Sequence, residues 1–217
     1  MTLTPTQLET IIRQRTNTVG DTFWSTDEML KLFWMAHLEM AREAMCIERT
    51  YTTTSVASQQ EYDYPTQTIA IKRVTYDGEK LQPITMSEDD ALTLSDSTTT
   101  ALGTPKFYFV WNETIYLRPV PDTAGLTIKI YSYNEPQEIL TTSAFEIPCQ
   151  FVPDTQYYVM AAMATKENDV QRANYYQAMW DKAVFRCKAW TRRRLRGDRF
   201  HAVQDEETLP LSLLGVR

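Results

Sequence analysis

From residue 148 to residue 196 apolar side chains return every three or four positions, and a polar break at 166–169 divides the stretch into two consecutive helices. Pro153 and Asp154 stand at the start of the first, where a missing N–H is tolerated and a carboxylate is welcome. Tyr157, Tyr158, Met160, Ala161 and Ala164 follow at helical spacing. In the second helix Ala173, Tyr176, Trp180, Val184, Cys187 and Trp190 line up as one stripe of aromatic and small residues. Such a hairpin cannot bury its stripe alone, and the best cover is an earlier helix over residues 29–48. That helix is apolar on two sides, with Leu30, Trp34, Leu38, Ala41 and Met45 on one stripe and Met29, Leu32, Ala36, Met40 and Ile47 on another. Ser25 followed three residues later by Glu28 forms a capping box at its start. Nearer the N-terminus, Thr4 and Pro5 open a short amphipathic helix carrying Leu8, Ile11 and Ile12, too short to stand by itself.

After Tyr51 the period falls from about 3.6 to about 2 and a β region begins. Tyr62 and Tyr64 alternate up to Pro65; Ile69, Ile71, Val74 and Tyr76 form a second strand ending in the turn Asp77-Gly78, and Leu81 and Ile84 return. Residues 87–94 read as two helical turns with an acidic start, and 95–103 as a polar loop. Residues 107–111 and 114–118 are strands around Asn112-Glu113, and 126–133 is the last, after a turn over 119–125. About six short strands with Pro- and Gly-bearing turns predict a small sandwich or curled sheet. The fold expected is α+β: a helical bundle built from both chain ends, an inserted small antiparallel β domain and an extended C-terminal arm. The boundaries expected are 1–51 and 141–199 for the bundle, 52–140 for the β domain and 200–217 for the arm.

A chain of 217 residues, 43% hydrophobic and with only 6 Gly, can fold into one large or two small cores. Its formal charge of -6 argues against a general nucleic-acid coat, which needs excess Lys and Arg across a face. Cys46, Cys149 and Cys187 are odd in number and far apart, which supplies neither a disulfide framework nor a CxxC pair and suggests a reducing compartment. The beginning MTLTPTQLETIIRQ lacks the apolar core of a signal peptide, and no later stretch approaches eighteen apolar residues, so a soluble protein is expected.

Candidate chemistry is sparse. His37 and His201 have no neighbouring ligand at metal spacing, and His37, between Trp34 and Ala41, reads as a core or interface histidine. Cys187 falls on the apolar seam as a structural thiol, and Asp89 and Asp90 read as helix-start charges ahead of a metal pair. None of GxSxG, the P-loop, GxGxxG or HExxH occurs. Two features remain. Arg192, Arg193, Arg194, Arg196 and Arg199 extend past the last apolar position and suit phosphate, a helix C-terminus or acidic groups on another subunit. Leu209, Leu211, Leu213 and Leu214 follow a polar spacer, odd on a free tail and sensible as an anchor. Tyr108, Phe109, Trp111 and Tyr116 offer a docking face in the β region.

The order of parts resembles the head-to-tail adaptor (connector) proteins of tailed bacteriophages. The matching pieces are TPTQLETIIRQR, WSTDEMLKLFWMAHLEMAREA, a β insertion, TPKFY leading to IYLRPVPDTAGLTIKIYSYNEP, and the closing FVPDTQYYVMAAMA and DVQRANYYQAMWDKAV. The resemblance implies a structural virion protein, neither an enzyme nor a user of cofactors or metals. It implies a closed ring of about twelve copies beneath the portal, each offering two different faces. The implied partners are the portal protein, neighbouring copies, tail or nozzle proteins with tail fibres among them, and genome DNA that passes through the channel on ejection without sequence-specific binding. No membrane is implied; the place is the virion neck, after synthesis in the host cytoplasm. On this chain Leu209, Pro210, Leu211, Leu213, Leu214 and Arg217 would be the portal-binding arm, and Arg192, Arg193, Arg194, Arg196 and Arg199 a contact to portal or DNA. Tyr108, Trp111 and Tyr116 would form the tail-docking face. The alternative is a nucleic-acid-binding module that uses the basic run 192–199, with the β domain as scaffold.

Overall fold

Thr4 starts helix α1 (Pro5–Thr16) with a complete capping box: its hydroxyl accepts from the Gln7 N–H, and the Gln7 side chain accepts from the Thr4 N–H. Leu8 and Ile12 are fully buried. Beside them the Glu9 carboxylate accepts from Arg13 Nε at 2.8 Å and from the Thr26 hydroxyl at 3.0 Å, while Arg13 donates to the Trp24 carbonyl at 2.7 Å. These bonds tie α1 to the start of helix α2 (Thr26–Ala44). At that start only half of the expected capping box forms. Ser25 Oγ accepts from the Glu28 N–H at 3.1 Å, but the Glu28 carboxylate pairs with Lys166 at 2.8 Å. The ammonium of Lys166 also lies over the rings of Phe23 and Trp24, so a full positive charge competes successfully with a single backbone donor.

The structure is a computed structural model describing residues 3–95, 102–141 and 144–207. The chain divides into two compact units, Met1–Cys46 with Pro136–Arg217, and Ile47–Glu135. In the first, α2 packs on helix α4 (Thr155–Lys166) and helix α5 (Val170–Glu207), and α1 packs on α2 and α4. The buried stripe of α2 is Met29, Leu30, Phe33, Ala36, His37, Met40, Ala41 and Ala44. It centres on Phe33 and His37 rather than on the two separate stripes expected, and leaves Trp34 and Leu38 half-buried. On α5 Trp180, Ala183, Val184 and Cys187 are buried, with Trp180 edge-on to Tyr158 of α4 and its Nε1–H donated to Glu39 of α2 at 2.9 Å. One indole thereby joins three helices.

Helix α2 ends four residues before the expected 48, because Met45 takes a left-handed conformation (φ 49°) and returns its N–H to the Ala41 carbonyl. Strand β1 (Glu48–Thr54) then begins where helix had been expected. In the second unit β1 joins β3 (Thr68–Tyr76), β4 (Glu79–Lys80) and β10 (Thr127–Asn134) in a sheet of order β1-β10-β3-β4, all antiparallel. A second sheet, β2-β8-β7-β5, contains β2 (Glu61–Asp63), β5 (Gln82–Pro83), β7 (Phe107–Trp111) and β8 (Thr114–Arg118). Side chains of both sheets, Val74, Tyr76, Ile128 and Ile130 from one and Tyr62, Tyr108, Ile115 and Leu117 from the other, share one core.

Mixed helix and small, mostly antiparallel sheets agree with the α+β expectation. The departures are short parallel pairs, β5 with β7, and β6 (Leu102–Gly103) with β9 (Val120–Pro121). Helix α3 (Met86–Ser95) is held near its start: Asp89, buried, makes a two-pronged ion pair with Arg118 of β8 at 2.7 and 2.9 Å. That partner disposes of the metal-pair reading of Asp89 and Asp90. At the other end, α5 continues through residues 200–207, where an extended arm was expected.

Candidate interaction surfaces

Arg192, Arg193 and Arg194 are exposed on α5. The Arg194 guanidinium lies over the Trp190 ring at 4.8 Å, and Trp190 in turn meets Phe151 edge-on at 5.9 Å. Arg196 and Arg199 fall within the same helix. The structure thus sets this basic run on continuous helix. Leu209, Pro210, Leu211, Leu213, Leu214 and Arg217 lie outside the described residues.

The aromatic set in the β unit separates. Tyr108 is buried in the shared core and offers no docking surface, and Tyr116 stacks in parallel on Phe109 at 4.7 Å. Trp111 is 57% exposed, beside Val110. It sits at the end of β7, one residue before a turn in which Asn112 (φ 47°) and Glu113 (φ 58°) are both left-handed, the tight form whose twist matches a hairpin. The side chain therefore projects from a stiff support.

A second apolar feature lies on the helical unit and was missed in the sequence. Tyr157 of α4 with Met179 and Phe185 of α5 line a groove of about 640 Å³, rimmed by Asp154, Asp181, Lys182 and Arg186. Phe185 is 70% exposed. Arg186 pairs with Asp154 at 2.9 Å, and Asp181 accepts from Gln177 at 3.0 Å. Burial raises the Asp154 pKa, with Arg186 pulling against that effect. Lys182 has no ion-pair partner among the described residues. The available sequence signal was a lone Phe one position off the α5 stripe, among Lys182, Arg186 and Lys188.

The remaining polar groups do structural work. His37 Nδ1 donates to the Phe33 carbonyl at 2.6 Å, and its ring stacks on Phe145 at 4.7 Å. Burial drives its pKa down to about 4, against a smaller opposing effect of the Phe33 bond. Its Nε2 has no partner among the described residues, and the residue lines a cavity of about 290 Å³ together with Gln137, Glu138 and Glu146. Cys46 and Cys187 are buried together; the thiol of Cys187 is pushed up by its contact with Cys46 and by burial, the reverse of what a nucleophile needs. Among the described residues no three His, Cys, Asp or Glu side chains gather to hold a metal, and no helix is long and apolar enough to cross a membrane.

Exposed aromatics thus stand on regular strand and helix, and the buried His37 and Cys187 are packed in the interior. A family model described as SU10 adaptor protein matches residues 6–201. The chain belongs to this family of structural proteins of the phage head-to-tail junction, as the sequence resemblance indicated. A search of curated proteins finds no match.

Proposed function

We propose that the protein joins portal to tail in the virion neck as a closed ring of about twelve copies, with genome DNA passing through the middle on ejection. The observation that carries this reading is the family match over residues 6–201. The bundle is read as the body of the ring and the β unit as the part presented to other neck components. In this reading Leu209, Pro210, Leu211, Leu213, Leu214 and Arg217 form the arm that grips the portal, and the basic run Arg192, Arg193, Arg194, Arg196 and Arg199 meets acidic portal groups or the DNA end. A chain of net charge -6 suits a channel whose repeated copies repel phosphate.

The test is light scattering of the purified protein alone and mixed with portal rings from the same phage. Many copies bound per portal are expected, and loss of that binding on removing residues 209–217 identifies the arm. A protein that ignores the portal sinks the reading. The exposed Arg192 and Arg193, with Arg194 over Trp190, support the second reading, a nucleic-acid-binding module. It requires salt-sensitive DNA binding that disappears when Arg192, Arg193 and Arg194 become Ala, the salt slope falling by about one for each phosphate no longer neutralised.

A further inference from the structure

Side chains along the seam between α2 and α5 fix how the two helices lie on each other. Glu39 accepts from Trp180 Nε1 at 2.9 Å, and one turn later Glu43 accepts from Lys188. At the end of the same seam Cys46, next after the left-handed Met45, meets Cys187, the chain neighbour of Lys188. The two cysteines are 6% and 0% exposed, and the Cys187 S–H donates to the sulfur of Cys46. Both belong to the helical unit, so their pairing depends on nothing outside it. The two sulfurs are not equivalent. Cys46 is lowered from the ordinary thiol range, chiefly by the bond from Cys187, with burial opposing and its own backbone and the Arg194 charge assisting. Cys187 is raised, first by that same bond and then by burial. One sulfur is thus prepared to attack an oxidant, and the other waits beside it with a proton to give up.

We propose that Cys46 and Cys187 are a redox pair, which hydrogen peroxide joins in a disulfide that locks the end of α2 to α5. The Cys46 thiolate attacks one peroxide oxygen, the O–O bond breaks, and the released hydroxide takes up a proton as water, leaving a sulfenic acid. Cys187 then attacks the Cys46 sulfur; the S–O bond breaks, and the hydroxyl leaves with the Cys187 proton as a second water. Both sulfurs are oxidised and the peroxide is reduced. Thiols already in hydrogen-bond contact need only a short further approach to reach the S–S distance of about 2.05 Å. Because α2 and α5 are far apart in the chain, the link closes a long loop and strongly constrains the unfolded state. The reducing compartment expected from the cysteine pattern applies to synthesis, whereas the surface of a virion is oxidising. The inference holds whether or not the copies form a ring.

The test uses the full chain with the exposed Cys149 replaced by Ser, which removes the third thiol. The folded protein is treated with hydrogen peroxide, the peroxide is destroyed, and free thiols are alkylated in urea before digestion and mass spectrometry. The peptides holding Cys46 and Cys187 are expected as one linked species, lighter by two hydrogens than their sum, and dithiothreitol should return both as alkylated thiols. Urea unfolding should show a higher midpoint for the oxidised form, reversed by the same reductant. With Cys187→Ser added, both the linked species and the rise in midpoint should disappear, and dimedone should trap a sulfenic acid at Cys46. Circular dichroism shows that this variant folds, and the mapping of the parent protein does not depend on it. Two thiols still fully alkylated after peroxide treatment of the folded protein would overturn the proposal. So would a link that appears only when peroxide is added in urea, or over-oxidation of Cys46 to sulfinic acid with Cys187 left free.

Discussion

Protonation of His37 should weaken the helical unit in mild acid by an amount the structure sets. The imidazole is fully buried, its Nδ1–H is already committed to the Phe33 carbonyl, and Nε2 has no acceptor among the described residues. A second proton therefore brings an unpaired charge into the interior, which is why the pKa falls to about 4 from the ordinary 6.5. A folded-state pKa below the unfolded one means the unfolded chain binds the proton more readily. The stability that neutral His37 preserves is present above pH 6.5 and is lost as pH falls from 6.5 towards 4. Full displacement corresponds to about 3 kcal/mol, of which about 2 kcal/mol falls between pH 7 and pH 5. That is a large share of a typical domain's stability.

Urea unfolding followed by tryptophan fluorescence at pH 7 and pH 5 measures this, with His37→Gln as the reference. The variant loses the stacking on Phe145 and should be less stable at pH 7, so the quantity of interest is each protein's change on acidification. Wild type should lose about 2 kcal/mol more than the variant. Asp154, with its raised pKa, and the carboxylates of Glu138 and Glu146 beside the cavity are common to both proteins and drop out of the difference. Equal losses would show that the imidazolium finds a partner in the cavity, and would refute the argument.

Replacing Trp180 by Ala should remove about 3–5 kcal/mol, because it empties a fully buried site and leaves Glu39 without its indole donor; thermal unfolding checks this, and a loss under about 1 kcal/mol would contradict the packing. Arg118→Ala removes the two-pronged partner of the buried Asp89 carboxylate and should cost about 3 kcal/mol, whereas adding Asp89→Asn should recover part of it and faster amide exchange in α3 should mark the loss. Lys166→Ala removes a half-exposed ion pair and the cation's contacts with Phe23 and Trp24 and should cost about 1–2 kcal/mol, a useful contrast by the same thermal assay.

What could be read from the sequence was periodicity and local turn chemistry. The α5 stripe through Trp180, Val184 and Cys187 is buried as its spacing demanded. Asp77-Gly78 and Asn112-Glu113 turn where expected, since left-handed residues between alternating strands leave the backbone few choices. What escaped depended on distant partners. Strand β1 is a Thr-rich run with weak patterning of its own, and β10, far along the chain, supplies the ladder that makes it a strand. Met45 ends α2 without the glycine that usually announces such a cap. Glu28 had a local bond available and took Lys166 instead, and Asp89 looked like a helix-start acid until Arg118 came to it across 29 residues.

The groove beneath Phe185 escaped for a different reason. A helix that buries one stripe leaves its other residues to solvent, and a single phenylalanine among Lys and Arg reads as noise in a periodicity count. It becomes informative only when α4 brings Tyr157 alongside and the Asp154–Arg186 pair is seen to close one side of the rim while Lys182 stands apart. The same holds for Trp111: the unbroken apolar run 107–111 hides which residues face inwards, and it is position along the strand that exposes Val110 and Trp111 at the hairpin end while Tyr108 and Phe109 are buried. Both exposed aromatics are therefore products of the fold, each carried on backbone that is ordered before any partner arrives. Rigid anchors of this kind lose little freedom on binding.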